Sequence, residues 1–209
     1  MDDKGTWLIR NNETGLCNLI TDAFLHSAKG TKTGGADVAV YVGGGIRSNM
    51  KPGDLTYNDA LSVLPFSNTM CICEVSGQTL LDELEHGARL YPQRNGGFLQ
   101  VSGITYTING KIPSPVKADD KKRLISIEGK RRVSNVKVNG EPLDPEKLYK
   151  VVSTSYVLLA KGDGHIFKGA KILEADYEVA CDSLVHYIKS LGEIPERYKE
   201  SQNRITFIK

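Results

Sequence analysis

The run Val38-Ala39-Val40-Tyr41-Val42, broken by Gly43-Gly44-Gly45 and landing on Ile46-Arg47, constrains this chain more than any other stretch. An apolar, largely β-branched run bounded by glycine predicts a buried strand. Glycine has no Cβ, so the turn that follows can be sharp and can approach a ligand closely. Arg47 then offers a planar fork that fits phosphate, carboxylate or a ribose oxygen. Further on, Pro65-Phe66-Ser67-Asn68 adds a flat aromatic face and an amide. An anion clamp plus a stacking face suits a nucleotide; a tight turn carrying a surface arginine is the plainer alternative. The stretch is neither a dinucleotide fingerprint nor a P-loop, because G-x-G-x-x-G and Gly-Lys-Ser/Thr are both missing.

The rest of the chain reads as alternating helices and strands. Leu16, Leu19, Ile20, Ala23 and Phe24 recur at helical spacing, which predicts a helix over 16–25 with Asn12 or Asn11 as its cap. Arg10, just before it, either reaches an anion or is solvated. Thr56 is placed to cap a short helix over 57–63, and 69–75 reads as a strand. Gly77-Gln78-Thr79 starts a helix expected over 80–90, with Leu80, Leu81, Leu84 and Ala88 inward and Glu83 and Glu85 in solvent. His86 is expected to be structural. Asn95-Gly96-Gly97 is a turn, and 98–101 with 104–108 reads as a strand pair around Ser102-Gly103. Residues 111–132 are polar and predict an exposed loop with one strand at 124–127. The stretches 133–138 and 148–153, joined through Asn139-Gly140-Glu141-Pro142, read as hairpin-like. Beyond a strand or short helix after Ser155 comes Gly162-Asp163-Gly164, where Asp163 either bonds ribose hydroxyls or closes a turn on its own backbone. A helix over 178–191 and a closing strand over 204–208 complete the reading.

Composition sets the class. A chain of 209 residues, 40% hydrophobic and 25% charged, can bury a sizeable core. A net charge of +2 is too small to argue for a nucleic-acid or anionic-membrane partner, and none is expected. There is no apolar run long enough for a transmembrane helix, and residues 1–6 show no apolar leader core. They read as an initiator methionine set on an internal fragment. Cys71 and Cys73 flank Ile72 and share a strand face, a spacing that suits neither a metal knuckle nor a mutual disulfide, so buried thiols are expected. Whether Cys17 and Cys181 pair is open. The four histidines, His26, His86, His165 and His186, show no metal-ligand spacing, and no nucleophile elbow is present. The chain carries binding chemistry without visible catalytic chemistry.

Taken in order, Arg10-x-x-Glu13-Thr14-x-Leu16-x-Asn18-Leu19, Gly43-Gly44-Gly45-Ile46-Arg47, Gly53-Asp54-Leu55-Thr56, Leu64-Pro65-Phe66-x-Asn68, Gln100-Val101-Ser102-Gly103 and Gly162-Asp163-Gly164 resemble the C-terminal domain of the 5′-nucleotidase family. That family includes 5′-nucleotidases, UDP-sugar hydrolases and 2′,3′-cyclic phosphodiesterases. The resemblance implies one mixed α+β substrate-binding domain over 1–209, a piece of a larger chain. It implies an N-terminal metallophosphoesterase domain as partner, which would hold a divalent metal pair, with no cofactor bound by this domain. It implies an extracellular or periplasmic location. By motif, Arg10 and Arg47 would contact phosphate or ribose, with the Gly44-Gly45 backbone beside them. Phe66 would stack on the base, Asn68 would contact it, and Asp163 would hold the ribose hydroxyls. Two positions depart from the pattern. Val42 stands where these enzymes often carry an asparagine that meets the base. Val157 stands where a second stacking aromatic is usual, with Tyr156 one residue away. Either Tyr156 takes that role through a one-residue shift, or the base is held on one face only. Beside the nucleotide reading stand a module of the same fold with a non-nucleotide ligand and an interaction domain without a pocket.

Overall fold

The computed structural model describes residues 7–209; the reading of residues 1–6 as an initiator methionine set on an internal fragment lies outside them. Two sheets share the core. The first has five strands in the order β10 (Lys171–Glu174), β2 (Met70–Ser76), β9 (Leu148–Thr154), β1 (Val38–Val42) and β3 (Leu99–Ser102). Strands β1 and β9 run parallel; the other neighbours are antiparallel. All five residues of β1 are buried, as a continuous apolar run at the middle of a covered sheet requires. The second sheet has the order β11 (Ile205–Ile208), β4 (Ile104–Asn109), β7 (Val133–Val138) and β8 (Glu141–Pro142). A small hairpin pairs β5 (Val116–Ala118) with β6 (Leu124–Ile127). The architecture is the mixed α+β class expected.

Helix α1 (Gly15–Ser27) packs on β1 and β3, and α5 (Ala180–Leu191) packs on α1 and on α2 (Tyr57–Val63). Helix α3 (Gly77–Gly87) touches β2 in one sheet and β7 in the other, so it bridges them. Thr56 caps α2 with a full capping box, in which Thr56 and Asp59 exchange hydrogen bonds.

Several expectations need correction. The cap of α1 is Thr14, whose hydroxyl accepts from the Cys17 N–H at 3.4 Å. The Asn12 amide is occupied with Asn11, and the Asn11 amide donates to the Pro92 carbonyl. Helix α3 begins at Gly77 as expected, with Ser76 as cap, but ends at Gly87, three residues short of Leu90. The expected pair β3–β4 does not form. Gly103, at φ +74°, turns the chain out of the first sheet and into the second, and a Cβ there would lie 2.2 Å from the Asp37 carbonyl oxygen. Nor do β7 and β9 form a hairpin: β7 takes β8 as its partner, while β9 crosses into the middle of the first sheet. The stretch 111–132 holds a second strand, β5, and ends on a buried Arg132.

Glu83 and Glu85, expected in solvent, are both buried. Glu85 accepts from the backbone N–H groups of Arg132 and Val133 at 3.1 and 3.0 Å, and so ties α3 to the second sheet. Burial pushes its carboxyl above the usual carboxylate range. Arg132 in turn donates to the carbonyls of Ala88 and Tyr91 at 3.0 and 2.8 Å, filling acceptors beyond the end of α3. All four cysteines are buried free thiols, and burial pushes those of Cys17 and Cys73 up to about 12.

Candidate functional site

Strand register places four connections at one end of the first sheet. Val42, the last residue of β1, pairs with Leu99, the first of β3. Met70, the first of β2, pairs with Thr154, the last of β9. The Gly43–Gly45 turn, the Phe66-Ser67-Asn68 segment, the Gly96-Gly97 turn and the chain after β9 therefore emerge side by side from a rigid sheet, the arrangement in which loops carry function. Arg10 joins them, since its carbonyl accepts from the Asn95 N–H at 2.9 Å.

The triple glycine also has a role within the fold. A Cβ at Gly43 would lie 2.1 Å from the Ile9 carbonyl oxygen, one at Gly44 would lie 3.1 Å from the Gly96 Cα, and one at Gly45 would lie 2.3 Å from the Tyr41 hydroxyl. The glycines let the turn pack against the protein itself. The Gly44 N–H donates to the Gly96 carbonyl at 2.7 Å, and the Gly44 carbonyl accepts from the Arg47 guanidinium at 3.2 Å. Arg47 is exposed beyond this anchor. Arg10 is half-buried, and its Nε has no hydrogen-bond partner. Each guanidinium carbon, of Arg10 and of Arg47, lies 5.5 Å from the ring centre of Trp7.

The aromatic and ribose-type positions gather beside them. Phe66 and Tyr156 are among the exposed large apolar side chains, at 47% and 39%. The Asn68 carbonyl accepts from Ala180, and Thr69 bonds Ser155 through both its N–H and its hydroxyl, at 3.2 and 3.1 Å. These bonds hold the Phe66–Asn68 side against α4 (Ser155–Leu158), which carries Tyr156. A Cβ at Gly162 would collide with the Tyr156 ring, so that ring lies over the 162–164 turn. Its hydroxyl points to the Asp163 carboxylate at 3.5 Å. Burial, then the Asp163 charge, pushes the Tyr156 hydroxyl pKa up. Val42 is fully buried in β1 and Val157 is fully buried too, so neither offers a face at the surface.

Asp163 is fixed by its backbone. It sits in the left-handed region at φ 52°, between Lys161 at φ 58° and Gly164 at φ 86°. Asp tolerates this region better than most residues, at a cost near 1–2 kcal/mol for an L side chain. Its carbonyl accepts from Arg89 at 3.3 Å and faces the His86 Nε2 at 3.4 Å. Its carboxylate lies over Gly96, where a Cβ would come within 3.1 Å of Oδ1.

Below this turn lies a polar network that sequence reasoning missed. His165 is fully buried; its Nδ1 lies 2.7 Å from Glu83 Oε2 and its Nε2 lies 2.8 Å from the Gly97 carbonyl oxygen. The other Glu83 oxygen accepts from the N–H groups of Ile166 and Phe167 at 3.1 and 2.7 Å. One buried carboxylate thus anchors the chain beyond Asp163 and, through His165, the Gly96-Gly97 turn. His86 meets His165 edge-on at 4.9 Å. Burial, then the neighbouring charges of His165 and Arg89, lowers the His86 pKa to about 2, so it stays neutral. The only sequence signal for this network was polar residues falling on the inward face of α3.

Arg47, Phe66 and Tyr156 are the exposed side chains of the site. A hollow of about 250 Å³ beside Ser102, Asn139 and Arg204 and one of about 400 Å³ beside Glu196 and Gln202 share none of its residues. Among the described residues no group of three or more His, Cys, Asp or Glu side chains could hold a metal ion. No helix among them is long and apolar enough to cross a membrane.

Comparison with known proteins brings these features together. The family model described as "5′-nucleotidase, C-terminal domain" matches residues 5–171. The chain is 32% identical over 194 residues to the trifunctional nucleotide phosphoesterase protein YfkN of Bacillus subtilis, covering 88% of this chain and 12% of that protein. It is 31% identical over 210 residues to a 5′-nucleotidase of Diplobatis ommata, covering 95% and 34%. The crystal structure of a 5′-nucleotidase precursor from Thermus thermophilus superposes with a TM-score of 0.81 at 30% identity, covering 97% of this chain and 37% of that one. The chain therefore spans little more than a third of these relatives at most.

Proposed function

The chain belongs to the family of the 5′-nucleotidase C-terminal domain, and we propose that it is the nucleoside- or nucleotide-binding part of a metal-dependent phosphohydrolase. The observation that carries this reading is the convergence of Arg47, Phe66, Asn68, Tyr156 and Asp163 at one end of one sheet, from the two connections that follow β1 and β9. In the proposal Phe66 and Tyr156 offer faces to the base, Asn68 its amide, Asp163 its carboxylate to the ribose hydroxyls, and Arg10 and Arg47 their charge to phosphate. Binding energy from base and ribose then positions the phosphate for attack by groups outside this chain. The divalent metal pair and the catalytic side chains belong, in this reading, to an N-terminal metallophosphoesterase domain. The chain alone is accordingly inactive. The location outside the cytoplasm that the resemblance implies belongs to the same proposal.

The test is calorimetric titration of the chain with adenosine, AMP, uridine and a UDP-sugar, with Phe66→Ala as control. Nucleoside binding lost in the variant supports the reading. Binding of a sugar without any nucleoside, or metal-dependent turnover by the pure chain that Arg47→Ala abolishes, would overturn it.

A further inference from the structure

We infer that Trp7 is a positioning residue, whose indole holds the guanidinium groups of Arg10 and Arg47 together as one preformed anion receptor. The inference rests on the reading of those two arginines as the phosphate-facing pair. Two like charges at one site repel, and each must be held if both are to meet a single anion. Each guanidinium carbon lies 5.5 Å from the same ring centre, within the range at which an aromatic face attracts a cation. The two cations are thus no farther apart than twice that distance, close enough for the charge of both to act on one nearby anion. Among the described residues neither arginine has a carboxylate partner. What fixes Arg47 is the Gly44 carbonyl and Trp7. What fixes Arg10 is its place in the short turn Leu8–Arg10 and Trp7, while its buried Nε remains without a partner. The indole supplies its negative face without neutralising either charge, as a carboxylate would. The pair therefore stays cationic toward an incoming anion.

Trp7 is also the chain's single tryptophan, so its emission reports on this cluster alone. Adding AMP or inorganic phosphate to the wild-type chain is expected to shift that emission saturably, and adenosine is expected to shift it less. Calorimetry on Trp7→Leu is expected to give AMP binding about three- to tenfold weaker, the worth of one or two exposed cation–π contacts, with adenosine binding unchanged. Trp7→Phe, which keeps a weaker aromatic face, falls between them. A ligand-free measurement stands beside these: ring-current shifts on the Arg10 and Arg47 side-chain NMR signals, present in the wild type and lost in Trp7→Leu. Equal weakening of AMP and adenosine in Trp7→Leu would overturn the inference, because it would mark Trp7 as merely structural. Wild-type AMP affinity in that variant, or the absence of ring-current shifts, would also overturn it. Phosphate and AMP binding without adenosine binding would uphold the arginine pair and sink the proposed base platform instead.

Discussion

Replacing Glu83 separates what a buried carboxylate contributes by its charge from what it contributes as an acceptor. It meets three donors: the imidazole Nδ1 of His165 and the N–H groups of Ile166 and Phe167. Glu83→Ala leaves all three without a partner. Each orphaned buried donor costs about 1–3 kcal/mol, so the change is expected to cost roughly 3–9 kcal/mol, a large part of an ordinary domain's 5–15 kcal/mol. Glu83→Gln differs sharply. Its carbonyl oxygen still accepts from both backbone N–H groups. Its amide donates to His165 Nδ1 in the imidazole tautomer that carries its proton on Nε2, which still donates to the Gly97 carbonyl. No buried charge is stranded in that arrangement. The expected cost is about 1–2 kcal/mol, the difference between hydrogen bonds to a charged and to a neutral acceptor. Urea unfolding followed by far-ultraviolet circular dichroism measures both variants. A Gln variant as unstable as the Ala variant would show that the charge, and not the number of satisfied donors, sets the stability. An Ala variant within about 1 kcal/mol of wild type would refute the claim that this network holds the Asp163 turn.

Other consequences can be measured on the same chain. His86 is held neutral with its pKa near 2, whereas the unfolded chain protonates it near 6.5. Its contribution to stability is therefore complete above pH 6.5 and is lost as pH falls below it, by about 1.4 kcal/mol per unit. Between pH 7 and pH 5, unfolding free energy should fall about 2 kcal/mol more in wild type than in His86→Gln; parallel curves would refute this. Phe66→Ala should weaken adenosine binding by about 1–3 kcal/mol. Tyr156→Ala should match that loss if the base is held on both faces and leave affinity unchanged if it is held on one, with Tyr156→Phe as the control that keeps the ring. Gly43→Ala forces a Cβ to within 2.1 Å of the Ile9 carbonyl oxygen and should cost several degrees of Tm. Gly44→Ala, at 3.1 Å from Gly96, should cost less; the reverse order would show that the turn does not pack as described.

Elements with a local cause were legible in the chain. The apolar run of β1 is a buried strand, as a short, Val-rich apolar run ending in glycine suggests. Thr56 caps α2 because its partner Asp59 is three residues away. That Cys71 and Cys73 are buried and unpaired followed from their spacing on one strand, whereas the free state of Cys17 and Cys181 did not. The motif residues Arg47, Phe66, Asn68, Tyr156 and Asp163 could be named from order and chemistry, yet nothing local said that they lie at one end of one sheet.

That placement was decided by tertiary structure alone, because strand partnership depends on which surfaces can be covered together. Strand β9 leaves its sequence neighbour β7 to pair with β1 and β2, and only that crossover sets Tyr156 and Asp163 beside Phe66 and the glycine turn. The same holds for Glu83 and Glu85. On a helix read by itself they are charges for solvent; once α3 bridges two sheets, the backbone donors of Ile166, Phe167, Arg132 and Val133 offset the cost of burying them. The triple glycine shows both levels in one place. The sequence determined that the backbone there must come close to something. The fold determined that the protein's own chain, at Ile9, Gly96 and Tyr41, stands within a Cβ's reach of it.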